Sequence, residues 1–347
     1  MMTPKEKNYF MPAEWYPHKC CWMQWPYNNP KHNGYGDVPS WSHFDFEKGR
    51  LAWANVANSI IKFEKVKMIT HPDEIVIAKK LLDSRVEVIK LKIDDCWARD
   101  SGAIFLLNNK NQLGGIDWEF NGWGKFQPFD SDNKVAKFMI EKSKATYFKN
   151  NMILEGGSIH VDGEGTLLTT EQCLLNKNRN PSFSKEKIEK NLKEFLNINK
   201  IIWLKNGTDE GTDGHVDNIA CFVKPGTVLA LSCKDKDDPF FERINENLEI
   251  LKTSTDNKNR RLKVIELEMS YKRLIPEDDE PSSYINFYIA NKGIVMPSFK
   301  DQKADYNAKT IVQSVFPDRK IITINGIDIS MGGGNVHCIT QQQPKSL

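Results

Sequence analysis

No stretch of this chain offers the run of about 18 apolar residues that a membrane-spanning helix requires. Nor is there a block of one charge. The 48 Lys and Arg residues face 46 Asp and Glu for a formal charge of +2, so neither nucleic acid nor a membrane surface is an expected partner. The seven cysteines (Cys20, Cys21, Cys96, Cys173, Cys221, Cys233 and Cys338) are odd in number, scattered, and without a CxxC pair. That argues against a disulfide or zinc framework and for reduced thiols. The histidines form no HxxxH or HxH set, so no metal is expected. The opening residues, Met1-Met2-Thr3-Pro4-Lys5-Glu6-Lys7-Asn8, lack the apolar core of a secretory signal. These absences point to a cytoplasmic protein. A chain of 347 residues, 39% hydrophobic and 27% charged, is a globular one with a large core.

What is present begins near the C-terminus, at Gly332-Gly333-Gly334-Asn335-Val336-His337-Cys338. Consecutive glycines cost a helix or strand roughly 0.5–1 kcal/mol each, and belong where backbone turns sharply or approaches a ligand. Cys338 follows on a β-branched, strand-like run, a setting for a nucleophile at a pocket mouth as well as for a structural thiol. Upstream the chain alternates. After an aromatic stretch (Met11 to Pro26), read as a strap over the core or a substrate contact, a helix is expected over Phe44 to Lys62. Strands follow at Val66 to Thr70, Val86 to Leu91 and Ile104 to Leu107, with a helix at Pro72 to Leu82. Later, Thr166 to Thr170, a helix at Ser184 to Leu196, and Ile201 to Leu204 repeat the order. A hairpin turning at Pro225-Gly226 and another from Tyr284 to Pro297 are each followed by a helix and a strand. Each unit reads as hairpin, helix, strand, with its most polar motif at a strand end. Asp100, Glu155, His215, Asn286 and Cys338 recur at intervals of roughly 50–70 residues, as one structural unit repeated about an axis would place them.

A free thiol has a pKa of about 8.5 and needs a base or a positive charge to act as a nucleophile. His337 adjoins Cys338 but would point to the other face of a strand, which places it behind the site or on backbone. His215 is the better base, since in His215-Val216-Asp217 positions i and i+2 share a strand face. Glu155, before two glycines, is expected to stand in open space, and Asp100 follows Trp97-Ala98-Arg99. Three carboxylates around a thiol raise its pKa and repel anionic acyl substrates. A guanidinium reverses both effects, because paired carboxylates can hold it bidentately and its charge favours the thiolate.

Gly332 to Pro344 resembles the C-terminal signature of the agmatine deiminases, in the family shared with bacterial-type peptidylarginine deiminases. So do Met11-Pro12-Ala13-Glu14-Trp15, Trp97-Ala98-Arg99-Asp100, Asn121-Gly122-Trp123-Gly124, Glu155-Gly156-Gly157, Gly211 to Asp217 and Ser283 to Tyr288. The resemblance runs from about residue 10 to 345. It implies the five-bladed α/β-propeller (pentein) fold of pseudo-fivefold ββαβ units around a central active site, in one domain over 1–347. It implies that Cys338 attacks a guanidinium carbon and that His215 serves as general acid and then base. Asp100 and Asp217 would clamp the guanidinium nitrogens, and Glu155 would orient His215 or bind the guanidinium from its other side. Trp97 would line the entry, while Asn286 and the amides of Gly333 and Gly334 position the substrate. The expected substrate is agmatine, a small cationic guanidine, with no metal or organic cofactor. Ala103 stands where the family commonly has proline, which bears on the loop beside Asp100 and not on the chemistry. Alternatives are a deiminase of arginine residues in peptides, a Cys–His amidase, and a non-catalytic binder. Aromatics from Trp15 to Tyr35 would serve equally as a strap or as an interface in a homo-oligomer.

Overall fold

In the computed structural model, residues 2–29, 44–125, 128–274 and 280–347 are described. Five separate sheets carry the described strands, and they are the five blades of an α/β-propeller. Four blades follow in chain order as ββαβ units. The first pairs Ile104–Asn108 antiparallel with Leu113–Glu119, crosses over through helix Val135–Lys142, and adds Thr146–Ile153 in parallel. The short strand Tyr9–Phe10 extends its edge. The second uses His160–Val161, Thr166–Thr170, helix Lys185–Leu196 and Lys200–Leu204. The third uses Ala220–Lys224, Thr227–Ser232, helix Phe241–Thr253 and Lys263–Glu268. The fourth uses Tyr288–Ala290, Gly293–Ser298, helix Gln302–Val315 and Lys320–Asn325.

The fifth blade is assembled from both ends of the chain. Thr340–Pro344 pairs antiparallel with His18–Gln24, which pairs in parallel with Lys65–Thr70 across helix Phe46–Ile60; Glu87–Lys90 completes the sheet. This corrects the reading of the N-terminal stretch. The aromatic N-terminal stretch contributes an interior strand with Trp22 fully buried, so it is not a strap. The glutamine run is the edge strand beside it, buried along its length. Gln343 Oε1 accepts from Trp22 Nε1 at 2.9 Å, and Gln341 Nε2 donates to the Ala103 carbonyl at 2.7 Å. Burying amides this deeply is tolerable only because they are hydrogen-bonded. Tyr35 lies outside the described residues.

The helices form for local reasons. Asp45 caps Phe46–Ile60 by accepting from the amides of Glu47 and Lys48, and Ser184 caps Lys185–Leu196 through Lys187. In the latter, Ile188, Leu192 and Leu196 recur at helical spacing and are the buried residues. Each contributes roughly 1.5–3 kcal/mol of burial, and Leu192→Ala would cost about 2–5 kcal/mol. Helix Val135–Lys142 and the two strands flanking it, Leu113–Glu119 and Thr146–Ile153, were not among the elements expected from sequence. Among the described residues no helix is long and apolar enough to cross a membrane.

Candidate active site

Every blade delivers a polar residue just before its first strand, at the centre of the ring. Asp100 sits in the turn Ala98–Ser101 ahead of Ile104–Asn108, and Glu155 precedes the turn Gly156–Ser158 ahead of His160–Val161. His215 leads the turn Val216–Asn218 ahead of Ala220–Lys224, Asn286 precedes Tyr288–Ala290, and Cys338 precedes Thr340–Pro344. All five are buried. Neither His215-Val216-Asp217 nor Cys338 lies on a strand, contrary to the sequence expectation; both lie in turns. The turn still brings the His215 and Asp217 side chains to one centre, and gives each its own neighbours. His215 faces Asp100 and Glu155, whereas Asp217 faces Cys338 and His337.

Gly157 marks where these groups converge. A Cβ placed there would lie 2.5 Å from His215 Nδ1, 2.9 Å from Asp100 Oδ1 and 3.1 Å from Asp217 Oδ2. Its amide donates to Asp100 Oδ1 at 3.0 Å, and Trp123 Nε1 donates to Asp100 Oδ2 at 3.0 Å. Burial raises the Asp100 pKa, with Asp217 and Glu155 adding to it against His215. His215 Nδ1 is 3.7 Å from Asp100 Oδ1 and its Nε2 is 3.8 Å from Glu155 Oε2, just beyond hydrogen-bond reach. Burial alone would lower the His215 pKa. The Asp100 carboxylate, with Cys173 and Glu155 beside it, outweighs burial and raises it well above the ordinary histidine value.

Glu155 does not stand in open space. Arg179 Nε donates to its Oε1 at 2.7 Å, and both side chains are fully buried. Burial pushes this carboxyl up, but Arg179 and His215 prevail and bring it down to about 2. Arg179 also binds the Asp213 carboxylate and donates to the Thr212 carbonyl at 3.0 Å. No periodicity or motif signals an arginine in Asn178-Arg179-Asn180. The signal available was electrostatic, since a buried carboxylate needs a counter-ion.

Cys338 Sγ donates toward Asp217 Oδ2 at 3.5 Å and accepts from Asn286 Nδ2 at 3.1 Å. Asn286 Oδ1 in turn accepts from the amides of His337 and Cys338 at 2.9 and 3.2 Å, which pins the thiol-bearing turn. Burial, then Asp217 and Asp100, push the thiol pKa well above its ordinary value. Gly334 is packed against both thiol and tryptophan. A Cβ there would lie 2.7 Å from Trp97 and 3.1 Å from Cys338 Sγ. From Gly333 and Gly334 a small cleft opens past Asn218, Ser283 and Asp209. Burial raises Asp209 to about 6. His337 lies behind the site, as expected, but its ring bonds to carboxylates rather than to backbone.

Among the described residues one trio could offer metal ligands. Donor atoms of Glu155, Cys173 and His215 lie within 4.8 Å of one another. Arg179, bonded directly to Glu155, already supplies the positive charge there. The trio therefore reads as surroundings for the His215 proton. Sequence reasoning missed Cys173, Arg179, Asp209 and the groups around His337.

A sequence profile of the Porphyromonas-type peptidyl-arginine deiminases matches residues 10–344. A Legionella pneumophila protein is 44% identical over 347 residues, covering 99% of this chain and 97% of its own length. The agmatine deiminase of Pseudomonas aeruginosa is 41% identical over 368 residues, covering 99% and 97%. The solved agmatine deiminase of Enterococcus faecalis superposes with a TM-score of 0.92 at 35% identity, covering 100% and 99%. With its five blades, its central cysteine and these likenesses, the chain belongs to the Porphyromonas-type peptidyl-arginine deiminase family.

Proposed function

We propose that this protein is an agmatine deiminase, converting agmatine and water to N-carbamoylputrescine and ammonia. The observation that carries the reading is the company of Cys338: a thiol beside the Asp217 carboxylate, with Asp217, Asp100 and His215 gathered around Gly157 and Glu155 on the far side of the His215 ring. Such a site disfavours anionic substrates and suits a guanidinium. Named relatives along the whole chain support the choice of agmatine.

In this reading Asp100 and Asp217 take the guanidinium nitrogens. Asp217 Oδ1 is buried with no hydrogen-bond partner among the described residues, while its Oδ2 is occupied. The bound cation brings the raised Cys338 thiol down toward thiolate, and the thiol proton passes to solvent. Sulfur attacks the guanidinium carbon, and a C–S bond forms. His215, charged by its surroundings, gives a proton to the departing nitrogen, and ammonia leaves an amidino-cysteine. Neutral His215 then takes one proton from water attacking the same carbon; as the new hydroxyl becomes the carbonyl the C–S bond breaks, and the hydroxyl proton passes to sulfur and restores the thiol. Glu155, anchored by Arg179, holds the imidazole between the two steps. Trp97, Gly333, Gly334 and Asn286 shape the entry and orient the sulfur. The proposal extends to one domain acting in the cytoplasm without metal or organic cofactor.

The test is ammonia release from agmatine, free arginine and an arginine-containing peptide, with Cys338→Ala as control. Release from agmatine alone, lost in the variant, is expected. Release from the peptide alone would replace the substrate while keeping the chemistry, and release from none would overturn the guanidine reading.

A further inference from the structure

Behind Asp217 runs a line of charged side chains that the steps above do not use. His337 Nδ1 lies 2.8 Å from Asp217 Oδ2, and its Nε2 lies 2.8 and 3.1 Å from the two oxygens of Glu14. The three side chains are at most 5% exposed. Glu14 belongs to the N-terminal motif Met11-Pro12-Ala13-Glu14-Trp15 and is 323 residues from His337 in the chain.

A neutral imidazole carries one N–H and one lone pair, whereas the imidazolium donates from both nitrogens. Here each ring nitrogen faces a carboxylate at 2.8 Å. A neutral ring would set its lone pair against an anion on one side. Both partners are ionised at neutral pH. Burial opposes this, but His337 and Arg99 carry Glu14 well below the usual carboxylate range, and His337 lowers Asp217.

We infer that His337 is a standing imidazolium and a positioning residue, whose Glu14 partner keeps it charged so that it fixes Asp217 with one oxygen occupied and the other turned to the guanidinium. The function of this pair rests on the reading of Asp217 as a guanidinium ligand.

The neighbours of the ring act in both directions. Asp217 and Glu14 favour the cation. Arg99 opposes it, donating from Nη1 to Glu14 at 3.2 Å and from Nε to the His337 carbonyl at 3.4 Å. His160, from the second blade, lies 3.6 Å from Glu14 Oε2 with its ring centre 6.3 Å from that of His337. Cys221, from the third blade, lines the same small cavity, and burial raises its thiol well above the ordinary value, so it adds no charge. Two carboxylates in direct contact outweigh one guanidinium that is itself engaged by Glu14.

Histidine-selective ¹⁵N labelling and long-range proton–nitrogen NMR would test this, with the His337 signals identified by their loss in His337→Gln. Both ring nitrogens should be protonated at pH 7 in the unmodified protein and in Glu14→Asp. In Glu14→Gln a neutral tautomer should appear at that pH. On the same variants, kcat/KM for agmatine in Glu14→Gln should gain an ionisation that the other two lack. KM should rise about tenfold, as expected for a lost charge-assisted contact, with a smaller change in kcat. A purely structural role for Glu14 would leave that pH profile unmoved. A single protonated ring nitrogen at pH 7 in the unmodified protein would overturn the inference, as would an unaltered profile in Glu14→Gln. If that variant fails to fold, the spectrum of the unmodified protein decides. An imidazolium in a protein that does not turn over agmatine would sink the substrate reading and leave the charge state of His337 standing.

Discussion

Gly157→Ala adds one methyl group and tests whether the candidate catalytic groups are packed as tightly as the geometry has it. The new carbon would meet His215 Nδ1 at 2.5 Å, Asp100 Oδ1 at 2.9 Å and Asp217 Oδ2 at 3.1 Å, all short of the ~3.5 Å of ordinary contact. None of the three can simply swing away. Asp100 is held by Trp123 and by Gly157 itself, Asp217 by His337, and His215 is fully buried. Relief must therefore come from moving the turn Gly156–Ser158 or the reacting groups. Overpacking of this kind costs about 1–3 kcal/mol of stability. A displacement of about 1 Å at reacting groups costs on the order of 10²-fold in rate. The backbone of Gly157 lies outside the left-handed region, so strain in φ adds nothing. Ammonia release from agmatine and urea denaturation would be measured beside Gly211→Ala, whose methyl would meet only Asp209 Oδ1 at 3.2 Å. The expected outcome is a loss of kcat/KM near 10²-fold or more in Gly157→Ala, and near-normal behaviour in the control. If the two variants retained similar activity, the convergence of Asp100, His215 and Asp217 on this point would be refuted.

Arg179→Met should leave Glu155 buried without its counter-ion, costing about 3–5 kcal/mol and most of the activity; equilibrium unfolding and ammonia release would read both. Glu155 is depressed from 4.5 to about 2. It therefore contributes roughly 3 kcal/mol that is present above pH 4.5 and lost as pH falls toward 2, and Arg179→Met should abolish that part of the acid dependence. Asp209 shifts the other way, from 3.8 to about 6, so its contribution is full below pH 3.8 and is lost as pH rises through 6. Asp209→Asn should accordingly stabilise the protein at pH 8, by up to about 3 kcal/mol in urea unfolding. Because Asp209 lines the cleft next to Gly333, the same variant should raise the agmatine KM more than it lowers kcat; an unchanged KM would remove Asp209 from the substrate's path.

Much of the architecture was legible because it is written locally. Strand Thr166–Thr170 and helices capped by Ser184 and Asp301 fall where alternation and capping residues place them. The turn-and-strand rhythm exposed Asp100, Glu155, His215, Asn286 and Cys338 as one recurrent position. Their shared chemistry then followed from residue type, three carboxylates around a thiol suiting a guanidinium. Tertiary structure decided what no local window contains. It set Thr340–Pro344 beside His18–Gln24, making the ends of the chain a single blade and the aromatic stretch a strand of it. It turned His215 toward Asp100 and Glu155, and Asp217 toward Cys338, because His215 leads and Asp217 lies in a one-turn helix rather than on a strand. It gave Glu155 the arginine 24 residues away, and His337 the glutamate 323 residues away. The physical reason is common to all of these. Propensity and periodicity act over a few neighbouring residues, whereas the charge and reactivity of a buried group depend on whichever partners the fold brings within about 4 Å.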